Sequence, residues 1–322
     1  MKKDVVALGE LLIDFTGNGK SVQGNPVMEA NPGGAPCNVL SMLTRLGKKT
    51  DFIGKVGDDM FGHQLKDALK EVGIGTQGLR FDCEINTTLA FVHTKEDGDR
   101  EFSFYRNPGA DMMLIDEELE EELLENCKIF HYGSLSMTHK TCRNATKRAI
   151  EIAKANGAIL SFDPNLREPL WSSLEEAKEQ IDYGMQQCDI LKISDNEIVW
   201  FTGKEDYEEG VKDLQNRYMI PLVLLSLGKD GSRAYCQGVK AEVPALLQPH
   251  TVETTGAGDT FCACVLNYVL EHGWKPYTEE ELKEMLNFAN AAASIITTRK
   301  GALRVMPTRE EVEELLKKRE QS

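Results

Sequence analysis

The chain has 322 residues, 41% hydrophobic and 28% charged, proportions that suit a globular α/β protein with a sizeable core and exclude a disordered one. Its 37 basic and 52 acidic residues leave a formal charge of −15, which argues against nucleic acid as a partner, because that binding rests on Lys and Arg neutralising phosphates. No apolar run reaches the roughly 18 residues of a membrane span, and the eight cysteines show neither disulfide nor zinc spacing, so free thiols in a reducing cytoplasm are expected.

In chain order, Met1-Lys2-Lys3-Asp4 leads straight into Val5-Val6-Ala7-Leu8, which reads as a buried strand and is too short for a signal peptide. Residues 15–30 are glycine-rich and polar and break the pattern. The spacing then predicts a helix over 38–46 ending at Gly47, a strand over 50–53, and a helix over 62–72 closed by Gly73. Thr87-Thr88-Leu89-Ala90-Phe91-Val92 and Glu101-Phe102-Ser103-Phe104-Tyr105, joined by a turn at Asp97-Gly98-Asp99, read as a β-hairpin. The acidic run over 116–125 reads as a solvated helix face.

Beyond it the scheme repeats, with strands over 129–132, 159–162, 190–193 and 222–225 and a helix over 141–155. Their hydrophobicity is continuous rather than alternating, the mark of strands covered on both faces in a parallel sheet with crossover helices. Ser173-x-x-Glu176, Thr278-x-x-Glu281 and Thr308-x-x-Glu311 match capping boxes, the last opening a surface helix to Lys318. The expected fold is a three-layer α/β sandwich with a mostly parallel sheet. A small β lid, from residues near 15–30 and 86–105, projects from one domain spanning 1–322.

Two segments carry candidate chemistry. Gly19-Lys20-Ser21 ends like a P-loop, but the position that requires the first glycine is Asp14. Gly256-x-Gly258 is followed by Phe261 where a dinucleotide fingerprint needs Gly or Ala. Thr254-Thr255-Gly256-Ala257-Gly258-Asp259-Thr260-Phe261 precedes a helical run. Small residues there leave backbone N–H groups and the helix dipole open to an anion such as a transferring phosphoryl group. Asp259 is either a plain N-cap or a group with a chemical task. Asn31-Pro32-Gly33-Gly34-Ala35-Pro36-Cys37-Asn38 also precedes a helix; its paired glycines admit a ligand close to the backbone, and Asn38 offers a hydroxyl both donor and acceptor. A tight turn is the alternative reading.

Together, Gly33-Gly34-Ala35-Pro36-x-Asn38 with Gly54-Lys55-Val56-Gly57-Asp58-Asp59-x-Phe61-Gly62, and Val252 to Phe261 some 200 residues later, resemble the two signatures of the PfkB (ribokinase-like) sugar kinases. The resemblance implies an ATP-dependent kinase with Asp259 as the base that deprotonates a sugar hydroxyl, and with Thr255, Gly256, Ala257 and Gly258 supplying the anion hole. It implies Asp14, placed at the end of the first strand, Gly33, Gly34 and Asn38 on the sugar. Ser226-x-Gly228-x-x-Gly231, Asn290 and Lys192 fall at its nucleotide-binding positions.

Glu197, in a segment similar to Lys-x-Asn-x-x-Glu with Ser194 in place of Asn, would hold Mg²⁺ through water. Glu253 stands where the family carries the aspartate of a monovalent-cation site, so potassium is a further expected ion. The segments at Arg106 and Arg167 resemble those of fructokinases, implying that both arginines reach the sugar, Arg106 from the lid. The expected reaction is D-fructose to fructose 6-phosphate. A 2-keto-3-deoxygluconate kinase, another ribokinase-like sugar or nucleoside kinase, and an inactive sugar-binding regulator are the alternatives. A homodimer paired through the lid is also implied.

Overall fold

A computed structural model of the chain describes residues 2–94 and 100–320. The chain opens with β1 (Lys3–Leu8) and passes through Gly9-Glu10-Leu11 into β2 (Leu12–Lys20) and β3 (Pro26–Gly33). α1 (Ala35–Arg45), β4 (Thr50–Gly57), α2 (Met60–Val72) and β5 (Gly75–Asp82) follow. α1 begins three residues earlier than the hydrophobic spacing indicates, because Pro36 in its first turn brings a preset φ and lacks only an N–H that would go unpaired there. β6 (Leu89–Thr94), β7 (Arg100–Tyr105), α3 (Glu121–Glu125), β8 (Cys127–Gly133), α4 (Lys140–Ala155), β9 (Ile159–Asp163) and α5 (Leu174–Gln187) form the middle. The last part comprises β10 (Ile190–Ser194), α6 (Asp195–Thr202), α7 (Tyr207–Tyr218), β11 (Leu222–Ser226), β12 (Ser232–Cys236), β13 (Val239–Val243), α8 (Ala257–His272), α9 (Glu279–Ile296) and α10 (Arg309–Glu320).

The main sheet has the order β13-β12-β11-β10-β9-β8-β1-β4-β5. The strands from β5 to β11 run parallel and β12 and β13 return antiparallel. Each central strand feeds both faces. Val5 and Ala7 join the core beneath α1, α8 and α9, whereas Val6 and Leu8 join the core beneath α4 and α5. That division explains the uninterrupted apolar runs, since neither face meets water. The fold is the three-layer sandwich expected.

The second sheet, β3-β2-β6-β7, is the lid. The polar stretch near 15–30 is two antiparallel strands, with Asp14 opposite Asn31 and Phe15 opposite Ala30. Its chemistry looks loop-like because a sheet projecting from the body has less to bury. What apolar surface it has is concentrated in Phe15, which stacks on Phe91 at 4.8 Å and meets Phe61 edge-on at 5.7 Å. Strands β6 and β7 pair antiparallel as a hairpin; the expected turn at Asp97-Gly98-Asp99 lies outside the described residues.

Three local expectations change. The acidic run is not one solvated helix. Asp116–Glu118 forms a 3₁₀ turn ahead of the short α3, and carboxylates of the run are engaged, Glu118 by Lys55 at 2.8 Å, Glu120 by Arg80 at 3.1 Å and Glu121 by Arg148 at 3.5 Å. Ser173 caps α5 by accepting from Glu176 N–H, but the Glu176 carboxylate turns to Ser172 and Arg143, leaving half a capping box. Asp14 lies not at the end of the first strand but on β2, in the lid.

Beneath the C-terminal edge of the sheet, Phe162 is fully buried and stacks on Tyr132 at 5.0 Å. Gly184 of α5 lies so close that a Cβ there would come within 2.5 Å of the Phe162 ring. Phe162→Ala leaves a cavity directly before Asp163 and is expected to cost about 3–5 kcal/mol. Urea unfolding should show the lowered midpoint; an unchanged one would contradict this packing.

Candidate active site

Parallel strands leave their C-terminal ends at one edge, and the structure gathers the site there. Asp163 ends β9, Ser194 ends β10 and Ser226 ends β11. α8 starts against this edge. Its N-cap is Gly256, held at φ 79°, in the left-handed region that glycine tolerates; a Cβ there would lie 2.8 Å from Ala302. Asp259 is therefore the third residue of the helix and not its cap. Its side chain turns to α1, where Asn38 Nδ2 donates to Asp259 Oδ2 at 2.8 Å.

Two cavities flank this point. The first, about 360 Å³, is lined by Asp14, Gly33, Gly34, Asn38, Glu253 and Asp259. The second, about 490 Å³, is lined by Ser226, Gly228, Gly231, Asn290, Ser194 and Glu197. Asn165, Arg167, Lys192 and Gly258 belong to both, so the cavities meet at the start of α8. Thr255 and Gly256 face the first cavity, and Ala257 the second.

The polar groups of the second cavity are well braced. Asn290 accepts from Ser232 Oγ at 2.9 Å and donates to Val243 O at 3.3 Å. Gly231 sits at φ 113°, where a Cβ would fall 2.2 Å from Val243 O. Ser194 caps α6 in a reciprocal box with Glu197. Glu197 also takes Leu166 N–H at 2.8 Å, beside Ser194 N–H and Oγ–H, both at 2.8 Å. Three of the roughly four acceptor positions of that carboxylate are thus filled. The donor set fits a role toward Mg²⁺ exerted through water and leaves little room for direct ligation.

Lys192 is the cation at the junction, paired with buried Asp163 at 3.0 Å. A Cβ on Gly258 would come within 3.2 Å of its Nζ. Burial works against the ammonium charge, but Asp163, Glu197 and Asp259 outweigh it and hold the Lys192 pKa above its ordinary value. On the first cavity's side the charges are negative. Burial pushes Asp14 up to about 7, with Glu253 and Asp259 adding and Arg167 opposing. Burial likewise raises Asp259, against the Asn38 hydrogen bond, Lys192 and Arg167.

Arg167 is exposed and borders both cavities. Arg106 does not reach either. It is buried behind the first cavity, where Nη2 lies 2.7 Å from Asp111, Nε donates to Asp111 at 2.8 Å, Nη1 to Thr138 at 2.9 Å and Nη2 to Leu135 O at 3.1 Å. The expectation of an arginine reaching the sugar from the lid is therefore corrected for Arg106, because Asp111, five residues on, captures the guanidinium. Glu253, expected at a monovalent-cation site, accepts from Gly301 N–H at 3.2 Å. Among the described residues there is no cluster of three or more His, Cys, Asp or Glu side chains arranged to hold a metal.

Two charged residues of the site escaped the sequence reading. Glu10 lines the first cavity and Asp163 holds Lys192. Each follows or ends a continuous apolar strand, the one signal available, since a carboxylate at a parallel strand's C-terminal end faces the site edge.

The profile of the pfkB family carbohydrate kinases matches residues 2–309. Fructokinase-1 of Zea mays is 44% identical over 316 residues, covering 98% of each chain. The structure of a fructokinase from Xylella fastidiosa with bound ATP superposes with a TM-score of 0.90 at 30% identity, covering 99% of this chain and 100% of that one. A fructokinase double mutant from Vibrio cholerae, in a form with fructose, ADP and potassium bound, gives a TM-score of 0.86 at 28% identity over 98% of this chain and 99% of that one. With the family profile spanning nearly its whole length, this chain is a member of the pfkB family of carbohydrate kinases.

Proposed function

We propose that this enzyme transfers the γ-phosphoryl group of ATP to the primary hydroxyl of a neutral sugar, D-fructose, giving fructose 6-phosphate and ADP. The observation that carries the reading is the meeting of two cavities at Gly258, Lys192 and Arg167, with Asp259 on the wall of one of them. The names and bound molecules of the related fructokinases support fructose and ATP as the two occupants.

The chemistry follows from the positions. Asn38 holds Asp259 Oδ2, leaving Oδ1 to take the proton of the sugar hydroxyl. The sugar oxygen bonds to the γ-phosphorus as the bond to the β–γ bridging oxygen breaks, and ADP departs with that electron pair. Charge on the transferring group is opposed by Lys192, by Arg167 and by the N–H groups from Thr255 to Gly258, whose helix dipole points the same way. Ser226, Gly228, Gly231 and Asn290 accommodate the nucleotide. Magnesium bound with ATP would supply further neutralisation, and Glu197 would hold its waters. The lid strands close over the sugar and keep out the water that competes for the phosphoryl group.

Charge also selects among substrates. Glu10, Asp14, Glu253 and Asp259 line the sugar cavity against Arg167 and Lys192. An excess of carboxylates there disfavours an acid such as 2-keto-3-deoxygluconate and suits a polyol that donates hydroxyl hydrogens. Glu253, tied to the Gly301 amide, braces this wall, and any potassium effect would act through that loop.

Among the described residues no helix is long and apolar enough to cross a membrane, and all eight cysteines are free, which fits an enzyme of the cytoplasm. The lid leaves Val27, Met28 and Tyr105 exposed, a surface suited to pairing with a second lid in a homodimer. Sedimentation velocity should then report a dimer, and a monomer at micromolar concentration would remove this element.

Asp259→Asn keeps the Asn38 contact but removes the base; kcat measured by ADP release with fructose should fall by roughly 10²–10⁴ while ATP affinity is retained. Wild-type turnover in the variant would refute the assignment. A second expectation concerns pH. Asp14 holds its proton up to about 7 in the fold, against an ordinary 3.8. The stability it contributes is complete below the lower value and is lost as pH rises through the upper one. Asp14→Asn, which cannot titrate, should therefore raise the melting temperature of the unliganded enzyme more at about pH 8 than at about pH 5. Equal differences at the two pH values would show that Asp14 carries no such burden.

A further inference from the structure

Glu10 takes no part in the proton and phosphoryl transfers described above, yet it lines the sugar cavity while only 4% of the residue is exposed. Its backbone is locked in the short link between β1 and β2. A Cβ on Gly34 would fall 2.3 Å from Glu10 O, so the Gly33-Gly34-Ala35-Pro36 turn packs directly on it. Oε1 accepts from Ala35 N–H, in the first turn of α1, at 2.8 Å. The carboxylate is thus aimed by the same turn that forms the cavity's glycine wall.

A carboxylate offers about four acceptor positions. Beside the Ala35 amide, Glu10's own N–H and the Arg106 charge favour its ionised form, while burial, the largest influence, and Asp111 oppose it and lift the pKa to about 7. Arg106 supplies field but no bond, because its donors go to Asp111, Thr138 and Leu135 O. Asp111 is held in turn by Thr88 Oγ1–H at 2.5 Å. A buried acceptor with capacity left over is costly unless a donor meets it, and a polyol is the donor that enters this cavity.

We infer that Glu10 accepts a hydrogen bond from one hydroxyl of the bound sugar, and that the buried Arg106–Asp111 pair is a positioning device behind it. This rests on the sugar-kinase reading of the site. Glu10 thereby makes the cavity count hydroxyls, and Arg106 contributes to sugar recognition without touching the sugar. Removing a charged acceptor from a buried hydroxyl raises KM for the sugar by roughly 10- to 100-fold, leaving KM for ATP unchanged.

The test uses the full-length enzyme, fructose, and a series of fructose analogues each lacking one hydroxyl, with kcat/KM read by ADP release for wild type and Glu10→Gln. The expected result is coupling: one analogue is penalised by the wild type but loses nothing further in the variant, while the other analogues lose the same factor in both. A role confined to fastening Ala35 would weaken all analogues alike, and such uniform losses, or an unchanged sugar KM, would overturn the inference. Glu10→Asp, which keeps the charge but withdraws it by one methylene, gives the same comparison if the glutamine variant does not fold. Arg106→Lys, whose compact ammonium cannot reproduce the planar fork that spans Asp111, Thr138 and Leu135 O, should weaken the same coupling; unaltered coupling would remove Arg106 from the device. Failure of the wild type to turn over any sugar would overturn the kinase reading itself, whereas turnover without coupling overturns only the role of Glu10.

Discussion

The hydrogen bond from Asn38 Nδ2 to Asp259 Oδ2 joins residues 221 positions apart in the chain. α1 and α8 each begin with small residues, Gly34-Ala35 and Gly256-Ala257-Gly258, so both helix starts approach the same place without side chains in the way. Asn38 is buried, and its Oδ1 has no hydrogen-bond partner among the described residues. An unpaired acceptor beside a carboxylate is expensive in a closed interior, and here its residue lines the first cavity. One side chain thus orients the proposed base and leaves an acceptor for the proposed sugar.

Around that bond the site is assembled from charges that oppose one another. Carboxylates crowd the first cavity, while Lys192 stands at its border with the second, held by Asp163. A carboxylate lifted by burial is a better proton acceptor than an ordinary one near neutral pH. The same burial weighs on the unliganded fold. Such strain is tolerable because the sheet beneath is densely filled, with Phe130, Tyr132 and Phe162 stacked and fully buried below the strand ends. The densely packed main sheet thus lies beneath the candidate site, and the small four-stranded sheet projects beside it.

Membership of the pfkB family accounts for the scaffold, and within it the partners of individual carboxylates set the detail of the candidate site. Glu197 spends most of its acceptor capacity on Leu166 and Ser194, an economy made possible by serine in the capping position of α6. Glu253 reaches the Gly301 amide, tying the loop before α8 to the loop after α9. Both residues are acidic in the sequence, and in both the tertiary partners decide what the charge does.

Much of the architecture was legible from residue order alone. Uninterrupted apolar runs announced strands covered on both faces, and the spacing of glycine, proline and capping residues placed most helices to within a few positions. The Gly-Gly-Ala-Pro and Gly-Ala-Gly-Asp segments announced sites of close backbone approach, because only small residues permit one. The lid strands near 15–30 were harder to read, for they bury too little to show a clear period. Arg106 could not be placed from its own segment, since Asp111 takes its guanidinium and turns it away from the cavity. Glu10 looked like any polar residue after a strand until Ala35 and Gly34 closed over it. Local composition dictates which elements form, because propensity and burial act on neighbours in sequence. Which charges meet across the site depends on distant segments packing together, and only the assembled sheet and helices determine that.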